Sequence, residues 1–435
     1  MAKAMESKST SRRESILIRY AIFSRLLVLF LTVTWRSFLQ PYDTSAALNP
    51  PCLHHEEVTE ESPPLNAVSK TLENSVVWDS VYFVRISQCG YEYEQTYAFL
   101  PLLPFFISLL SGTVFAPLVP LIGLRAVMVL SGYVVSNLAF VFAAIYLFRV
   151  SAIVLKDTEA SFRASVIKSV CSVFNWRIVS LVIWRQQCSS SLVLVTGLLR
   201  CICICLPFVA FQAYGYYNIC HGHKLDELRP WCKAKIPLLY NFIQSHYWGV
   251  GFLRYFQFKQ LPNFLLASPI LSLAVCSIIS YMKTRPELFI SLGFQATEKE
   301  KRSSARLYSL KDALELDGIT SSNDNRDIRQ RKPRRKDVTV INAAAKSTSP
   351  ETTGYFSADV FPFVVHLGLM TATAFFIMHV QVGTRFLSVS PSLYWFASHL
   401  IASPKHRKWE YLICSYCAAY ILLGTLLFSN FYPFT

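Results

Sequence analysis

The chain has 435 residues, of which 53% are hydrophobic and only 16% are charged. That balance is too apolar for a soluble protein of this length and favours a membrane protein. The formal net charge of +15 would suit a nucleic-acid-binding protein, but the basic residues lie beside apolar windows, as expected for loops that set membrane topology, so no nucleic-acid partner is predicted.

Apolar windows recur along the chain, each close to the roughly 20 residues that an α-helix needs to cross a bilayer. Such windows are too long and too continuous for barrel strands. The sequence therefore predicts an all-α, polytopic membrane protein with about eight transmembrane helices. The windows lie near 16–36, 97–148 (two helices), 192–213, 261–282, 359–380, 384–402 and 411–429.

The distribution of charge predicts the orientation in the membrane. Residues 1–40 carry seven Lys/Arg against two Glu, whereas residues 41–96 carry nine acids against two bases. Residues 297–350 carry thirteen bases against eight acids and include RQRKPRRK. By the positive-inside rule, residues 1–40 and 297–350 face the cytoplasm and the acidic segment faces the lumen. Because Arg19 and Arg25 interrupt the first window, we interpret it as an uncleaved signal anchor.

The middle of the chain fits this topology poorly. Counting crossings from a cytoplasmic start places Arg125 in a short cytoplasmic turn and Arg149 on the lumenal side. An additional crossing is then required before the helix at 192–213. Its one candidate, residues 164–184, includes Lys168 and a second cation, and each costs about 2.5–3.5 kcal/mol near a helix centre.

The predicted topology divides the chain into seven segments, each named by its expected side of the membrane. They are 1–40, cytoplasmic N-terminus and first helix; 41–96, first lumenal loop; 97–213, transmembrane helices with an atypical segment at 166–197; 214–260, lumenal loop; 261–296, helix and interfacial segment; 297–358, basic cytoplasmic loop expected to be disordered; and 359–435, three C-terminal transmembrane helices.

The twelve cysteines fall into different settings. Three lie in the apolar stretch RCICICLPF: Cys201, Cys203 and Cys205. We expect these to be small, buried side chains. Cys220 and Cys232 bracket a polar loop, and in an oxidising lumen they would form a disulfide. Zinc binding together with His221 and His223 is the less favoured alternative, and no metal site is predicted elsewhere.

The stretch VVWDSVYFVRISQCGYEYE, residues 76–94, places an acid, Asp79, within an aromatic run. One interpretation is an interfacial belt of Trp78 and the tyrosines, with Asp79 facing water or capping a short helix. The other is a partly desolvated cleft, in which a more basic Asp79 takes a proton from an acceptor hydroxyl. Composition leaves both open.

Two multi-residue blocks resemble one family of mannosyltransferases. The first is WDSVYFVRISQCGYEYEQTYAFLPLLPF (78–105), with a Trp-Asp pair, then Gly-Tyr, Tyr-Glu and Ala-Phe-x-Pro; the second is QSHYWGVGFLRYFQFKQLPNFLLASP (244–269). Together with the terminal YPFT they resemble the GPI mannosyltransferase 2 family, as a plant-type member with a shortened middle region. The resemblance lapses between about 166 and 197, which suggests a shortened or alternatively spliced product.

The resemblance implies a GT-C type glycosyltransferase of the endoplasmic-reticulum membrane. Such an enzyme transfers mannose from dolichyl phosphate mannose to the first mannose of the glycosylphosphatidylinositol (GPI) precursor, forming an α-1,6 bond with inversion. Asp79 is the candidate general base, with Trp78 beside it. The phosphate leaving group needs no carboxylic acid and no cofactor. The implied partners are the lipid-linked donor, the lipid acceptor, the membrane and a small membrane subunit.

Six further residues are candidates for substrate binding. Cations in lumenal segments suit a lipid phosphate, although each also fits a cation at a helix end that reaches the interface. The acid also suits a helix start, and the tryptophan an interfacial anchor. These residues are Arg85, Glu94, His246, Trp248, Arg254 and Lys259. The alternative function is a non-catalytic membrane protein, either an inactive variant or a transporter of lipid-linked sugars, but the polar clusters lie in loops, which favours an enzyme.

Overall fold

The computed structural model describes residues 2–39, 52–53, 63–171, 191–221, 228–293, 295–297, 300, 354–404, 407–430 and 432. In this part of the chain all regular secondary structure is helical, which confirms the all-α prediction. The α-helices are α1 (Ala2–Phe38), α2 (Asn66–Asn74), α3 (Asp79–Cys89), α4 (Leu102–Gly112), α5 (Val119–Ile122), α6 (Leu124–Leu155), α7 (Thr158–Cys171), α8 (Ser191–Cys220), α9 (Leu239–His246), α10 (Leu261–Thr284), α11 (Pro286–Ile290), α12 (Phe361–Phe376), α13 (Gly383–Leu387), α14 (Pro391–Ala402) and α15 (Arg407–Ser429).

Six of the described helical segments are long and apolar enough to cross a membrane. They are Ser9–Phe38, Leu124–Leu155, Cys201–Cys220, Phe258–Thr284, Ala358–Phe376 and Arg407–Ser429. A further pair, α4 and the segment Ala116–Ile122, passes the same test as one unit but is bent by 65°. The polytopic membrane class predicted from composition is therefore confirmed.

Helices α1 and α6 run antiparallel. Glu14 near the start of α1 accepts a hydrogen bond from Arg149 Nε near the end of α6 at 2.8 Å, and the Arg25 guanidinium lies 3.8 Å from the centre of the Phe140 ring. We call this end of the bundle the Glu14 end. At the opposite end, α1 finishes beside α15, and we call this the Asp79 end because Asp79 lies there.

The bent pair enters and leaves at the Asp79 end. Near the start of α4, the Pro104 carbonyl accepts from Ser87 Oγ at 3.2 Å. At the end of α5, the Leu121 carbonyl accepts from the Leu65 amide at 3.0 Å. Both partners belong to the segment 63–89, which carries Asp79. We therefore interpret the pair as a re-entrant loop, which adds no crossing.

This loop corrects the crossing count in the middle of the chain. Because the apolar run before α6 returns to the side it came from, Arg125 lies at the Asp79 end and Arg149 at the Glu14 end, the reverse of the predicted sides. No additional crossing is needed before α8. Helix α7 begins at the Glu14 end, where Arg13 pairs with Glu159 at 3.0 Å. The rest of the proposed crossing at 164–184 falls outside the described residues.

The predicted helix at 384–402 is broken. Its two parts, α13 and α14, contain 5 and 12 residues, yet together they run from the Asp79 end to the Glu14 end, where Ser398 Oγ donates to the Ala160 carbonyl at 2.9 Å. Residues 391–398 are all buried. A broken helix is tolerated at membrane depth because protein, not lipid, surrounds its free backbone groups.

From the described helices we infer seven crossings: the six long apolar helices α1, α6, α8, α10, α12 and α15, together with the α13–α14 pair. An odd number leaves the start of α1 and the end of α15 on opposite sides, in agreement with the charge distribution. Of the basic loop predicted at 297–358, residues 298–299 and 301–353 lie outside the described residues.

Candidate functional site

Trp78 and Asp79 lie where the chain turns into α3. Trp78 has φ 52°, a left-handed conformation that is unusual for a bulky residue and concentrates at functional sites. Its indole Nε1 donates to the Phe428 carbonyl at the end of α15, at 3.1 Å. Asp79 is the first residue of α3, so its carboxylate lies at the positive end of the helix dipole. The C-terminal helix therefore holds the Trp-Asp pair in place.

Asp79 forms an ion pair across the bundle. Arg385 Nη1 lies 3.0 Å from Asp79 Oδ2, and the two side chains are 26% and 55% exposed respectively. More than half of the Asp79 side chain is therefore exposed and the rest is covered by protein, which is compatible with both interpretations of this residue. Among the described residues, Arg385 engages only Oδ2, which leaves Oδ1 available to a ligand.

Arg385 was not among the site residues predicted from the sequence. The residue lies in α13, the short helix made by the break in the predicted helix 384–402. Burying a cation in lipid costs free energy, so a charged residue inside an apolar window commonly has a function. The stretch GTRFL, which contains Arg385, showed this signal. No sequence pattern linked it to Asp79, which is 306 residues away.

An aromatic chain connects α3 to the second motif block. Tyr82 stacks on Phe99 with ring centres 4.6 Å apart, and Phe99 meets the edge of Trp248 at 6.1 Å. Burial raises the pKa of Tyr82, and the negative charge of Asp79 raises it further. Tyr82 therefore remains a neutral hydroxyl, a donor or acceptor within one helical turn of Asp79.

Glu94 is a buried carboxylate with three partners. Its side chain is 6% exposed and lies 3.4 Å from Arg229 Nη2. It accepts hydrogen bonds from Trp231 Nε1 and, at 2.7 Å, from the Tyr247 hydroxyl. Glu94 also opens a 3-10 turn, close to the helix-start role expected of it. Glu94 therefore joins the two segments that were predicted to be lumenal loops. Substrate binding by Glu94 stays a prediction.

Arg85 is likewise committed to a structural pair. Its Nη2 lies 2.7 Å from Glu92 Oε2, and the Glu92 side chain is only 2% exposed. A disulfide joins Cys52 to Cys89 beside this pair. Cys52, Cys89 and Glu92 are also the one group with metal-like spacing in the described part of the chain, but a disulfide has no free thiolate to offer a metal.

The four remaining candidates lie in the second block, away from the Asp79–Arg385 pair. His246 is exposed and stacks on Phe242, and the Trp248 carbonyl contacts His379 Nε2. Arg254 and Lys259 are both exposed. The structure places these four residues on the same side of the bundle as Asp79 without bringing them into contact with it.

The loop at 220–232 is closed by a disulfide. Cys220 at the end of α8 is bonded to Cys232, with Cα atoms 5.9 Å apart. Zinc binding by these two cysteines is therefore excluded in this structure; His221 is described, and His223 lies outside the described residues. The disulfide holds Trp231 next to Glu94, so it supports the buried carboxylate cluster.

A cavity of about 90 Å³ lies between α1, α3, α6 and α15. Ser80, Phe83 and Val84 of α3 line it, so its wall begins one residue after Asp79. Most of the wall is apolar, with a polar strip from helices α1 and α6. The volume is below the roughly 300–1,000 Å³ of small-molecule sites, so it admits only a short apolar segment of a ligand.

Comparison with known proteins identifies the family. The family model described as Mannosyltransferase (PIG-V) matches residues 12–176 and 168–435. The chain belongs to this family. It is therefore a glycosyltransferase of the mannosyltransferase class.

Three relatives illustrate the similarity, two of them over nearly the whole chain and one over about half of it. A human protein named GPI alpha-1,6-mannosyltransferase 2 is 27% identical over 548 residues, covering 99% of this chain and 100% of that protein. A mouse protein of the same name is 26% identical, covering 96% and 98%. A Drosophila melanogaster protein named GPI mannosyltransferase 2 is 32% identical over 215 residues, 48% of this chain and 36% of its own. No solved structure matches.

The family model matches the chain in two segments, and the boundary between them lies in the middle of the chain. Its two segments meet at residues 168–176, inside the interval 166–197 where the motif resemblance lapses. The alignment to the human protein runs over 548 positions, more than the 435 residues of this chain. That relative therefore carries segments that this member of the PIG-V family lacks.

Proposed function

We propose that this chain transfers the second mannose, in an α-1,6 linkage, from dolichyl phosphate mannose to the GPI-anchor precursor in the lumen of the endoplasmic reticulum. The names of the human and mouse relatives support the acceptor and the linkage. The donor and the compartment rest on the family resemblance of the Trp78–Asp79 block. The basic N-terminal segment supports a lumenal Asp79 end.

The Asp79–Arg385 ion pair is the observation that carries the proposal. Inverting transfer from a sugar phosphate requires a carboxylate to accept the acceptor's hydroxyl proton and a cation to bind the departing phosphate. Asp79 Oδ2 and Arg385 Nη1 lie 3.0 Å apart at the Asp79 end of the bundle. This makes Arg385, rather than the exposed Arg254 or Lys259, our candidate for the phosphate contact.

In this mechanism Asp79 Oδ1 accepts the proton of the 6-hydroxyl of the acceptor mannose. The oxygen attacks C1 of the donor mannose from the face opposite the phosphate, and the C1–O bond to phosphate breaks. Dolichyl phosphate leaves with the bonding electron pair, and the Arg385 guanidinium binds its new charge. The Tyr82 hydroxyl orients the acceptor, and the apolar cavity behind Ser80 receives a short part of the lipid.

The test is an assay in microsomes from cells that lack the second GPI mannosyltransferase. Membranes that contain this chain are given radiolabelled dolichyl phosphate mannose and a GPI precursor bearing one mannose. We expect a product with two mannoses, and α-1,6-specific mannosidase should release the label. Transfer to a different acceptor would overturn the acceptor assignment, and no transfer at normal protein levels would favour the inactive or transporter alternative.

A matched insertion variant tests the shortened middle region. If the chain fails the assay but a version carrying the relatives' additional segment at 166–197 succeeds, the missing segment supplies part of the site. If both succeed equally, the segment is dispensable for transfer. Loss of product in both forms on changing Asp79 to Asn would link the activity to the Trp-Asp block.

A further inference from the structure

The second motif block packs against the end of α12 and the residues that follow it. The Gly251 amide donates to the Ile377 carbonyl at 3.2 Å, and the Leu253 amide donates to the Phe376 carbonyl at 2.8 Å. Leu253 has φ 58°, a left-handed conformation that a bulky residue adopts only when its surroundings enforce it. We call residues 377–382 the connecting segment, because they join α12 to α13. The block is thus bonded to the start of this segment.

His379 is the residue of the connecting segment that contacts the block through its side chain. Its Nε2 donates a hydrogen bond to the Trp248 carbonyl, since a carbonyl oxygen can only accept. The rings of His379 and Tyr255 meet edge to face, with their centres 4.6 Å apart. Tyr255 is buried, and its hydroxyl accepts from Asn263 Nδ2 at 2.8 Å. Two residues of the block therefore hold the imidazole in place.

The connecting segment leads directly into the helix that carries Arg385. The His379 carbonyl accepts from the Val382 amide at 3.0 Å, and this bond closes the 3-10 turn that precedes α13. Val380 and Leu387 lie on either side of Arg385 in the sequence, and both are fully buried in a core cluster that includes residues of the second block. The position of α13, and with it the Arg385 side chain, therefore depends on the contacts that His379 makes.

We propose that His379 is a positioning residue, whose bond to the second motif block holds α13 so that Arg385 reaches both Asp79 and the donor phosphate. The phosphate part of this inference rests on the proposed function, whereas the ion pair with Asp79 is observed. A guanidinium binds phosphate through a planar fork that must be aligned, so a small shift of α13 weakens the contact. The second block thus acts on the site through the connecting segment, although its four candidate side chains do not contact the ion pair.

Two amide variants that differ by one methylene test the hydrogen bond. In His379→Gln the amide nitrogen can take the place of Nε2 and still donate to the Trp248 carbonyl, whereas the shorter side chain of His379→Asn cannot reach it. We expect His379→Asn to weaken equilibrium binding of dolichyl phosphate mannose about 2-fold to 10-fold, the contribution of one hydrogen bond, and His379→Gln to recover most of the loss. Equal losses in both variants, or no loss in His379→Asn, would overturn the proposal.

A double variant separates positioning from a general loss of structure. Two changes that act through the same contact are not additive. If His379 acts through Arg385, His379→Asn causes no further loss of donor affinity once Arg385→Gln is present. The same fold-loss in both backgrounds would show that the effect of His379 does not pass through Arg385, and the proposal would fail.

Chemical labelling of Arg385 tests the positioning without any substrate. Phenylglyoxal modifies guanidinium groups, and mass spectrometry of the purified chain gives the rate at each arginine. His379→Asn should raise the rate at Arg385 towards that in Asp79→Asn, where the ion pair is lost, and should leave Arg149 at the Glu14 end unchanged. An unchanged rate at Arg385 would overturn the proposal. A raised rate, together with normal donor binding in Arg385→Gln, would keep the positioning role and overturn the phosphate assignment instead.

Free thiols report whether the variant remains folded. Cys201, Cys203 and Cys205 in α8 are exposed and none is in a disulfide, contrary to the expectation that they are small buried side chains, so they give the rate of an accessible thiol. Cys276 in α10 is only partly exposed, and its reaction with N-ethylmaleimide should be equally slow in wild type and in His379→Asn. If Cys276 reacts as fast as the α8 thiols, the same measurements on His379→Phe, which keeps an aromatic ring but has no donor, decide the proposal by the same outcomes.

Discussion

Two carboxylates from the same segment have opposite surroundings. Asp79 is more than half exposed and has one described ion-pair partner, Arg385. Glu94 is almost fully buried and contacts three donor groups. A buried carboxylate that accepts from several protein donors stabilises the fold, whereas one with an accessible oxygen can accept a proton from a substrate. The difference supports the proposed role of Asp79 as the base and a structural role for Glu94.

The largest effect is expected from Asp79→Asn. The amide keeps the size of the side chain but is a poor proton acceptor, so we expect kcat for mannosyl transfer to fall by roughly 100-fold or more. The microsomal assay measures it, with the protein level unchanged. Asp157→Asn is the control, because Asp157 caps α7 through its Oδ1, and Asn can also cap. Activity within a few-fold of wild type in Asp79→Asn would exclude Asp79 as the base.

Arg385→Gln should have the next largest effect. A charge-assisted hydrogen bond contributes about 1.5–3 kcal/mol, so kcat/KM for the donor should fall on the order of 10-fold to 100-fold. Arg385→Lys should recover part of the loss, because it restores the charge without the planar fork. Arg149→Gln, which breaks the ion pair with Glu14 at the other end, is the control.

A double variant distinguishes the two roles open to Arg385. If Arg385 binds the donor phosphate, Arg385→Gln weakens donor binding equally in wild type and in Asp79→Asn. If Arg385 only positions Asp79, donor affinity in the Asp79→Asn background does not change. Equilibrium binding of dolichyl phosphate mannose to the purified variants measures this difference.

Glu94→Gln should lower stability rather than catalysis. The amide cannot accept from three donors at once, so one buried donor such as Trp231 Nε1 loses its partner, at a cost of about 1–3 kcal/mol. We expect a lower Tm in detergent with a nearly unchanged kcat for the folded fraction. Glu159→Gln on α7 is the control, because that side chain is 53% exposed. An unchanged Tm together with a large loss of kcat would return Glu94 to the catalytic site.

The sequence predicted the class and most crossings because hydrophobicity over 20 residues is a local property. The predictions that failed depend on contacts between residues that are far apart in the sequence. The run before α6 has the length of a span, and only its contacts with residues 63–89 identify it as re-entrant. The break in 384–402 is stable because residues 391–398 are buried in protein. The Asp79–Arg385 pair joins positions 306 apart, which no motif spacing encodes.

The smallest effects are expected in the second block, from Arg254→Ala and Lys259→Ala. Both cations are exposed, and exposed ion pairs contribute about 0–1 kcal/mol, so each change should alter kcat/KM by no more than a few-fold. The small change should also shrink with added salt, since salt screens exposed charges. The assay is repeated at low and high ionic strength beside Arg385→Gln, whose loss should persist. A loss greater than 10-fold in either variant, insensitive to salt, would move the phosphate contact from Arg385 to the loop before α10.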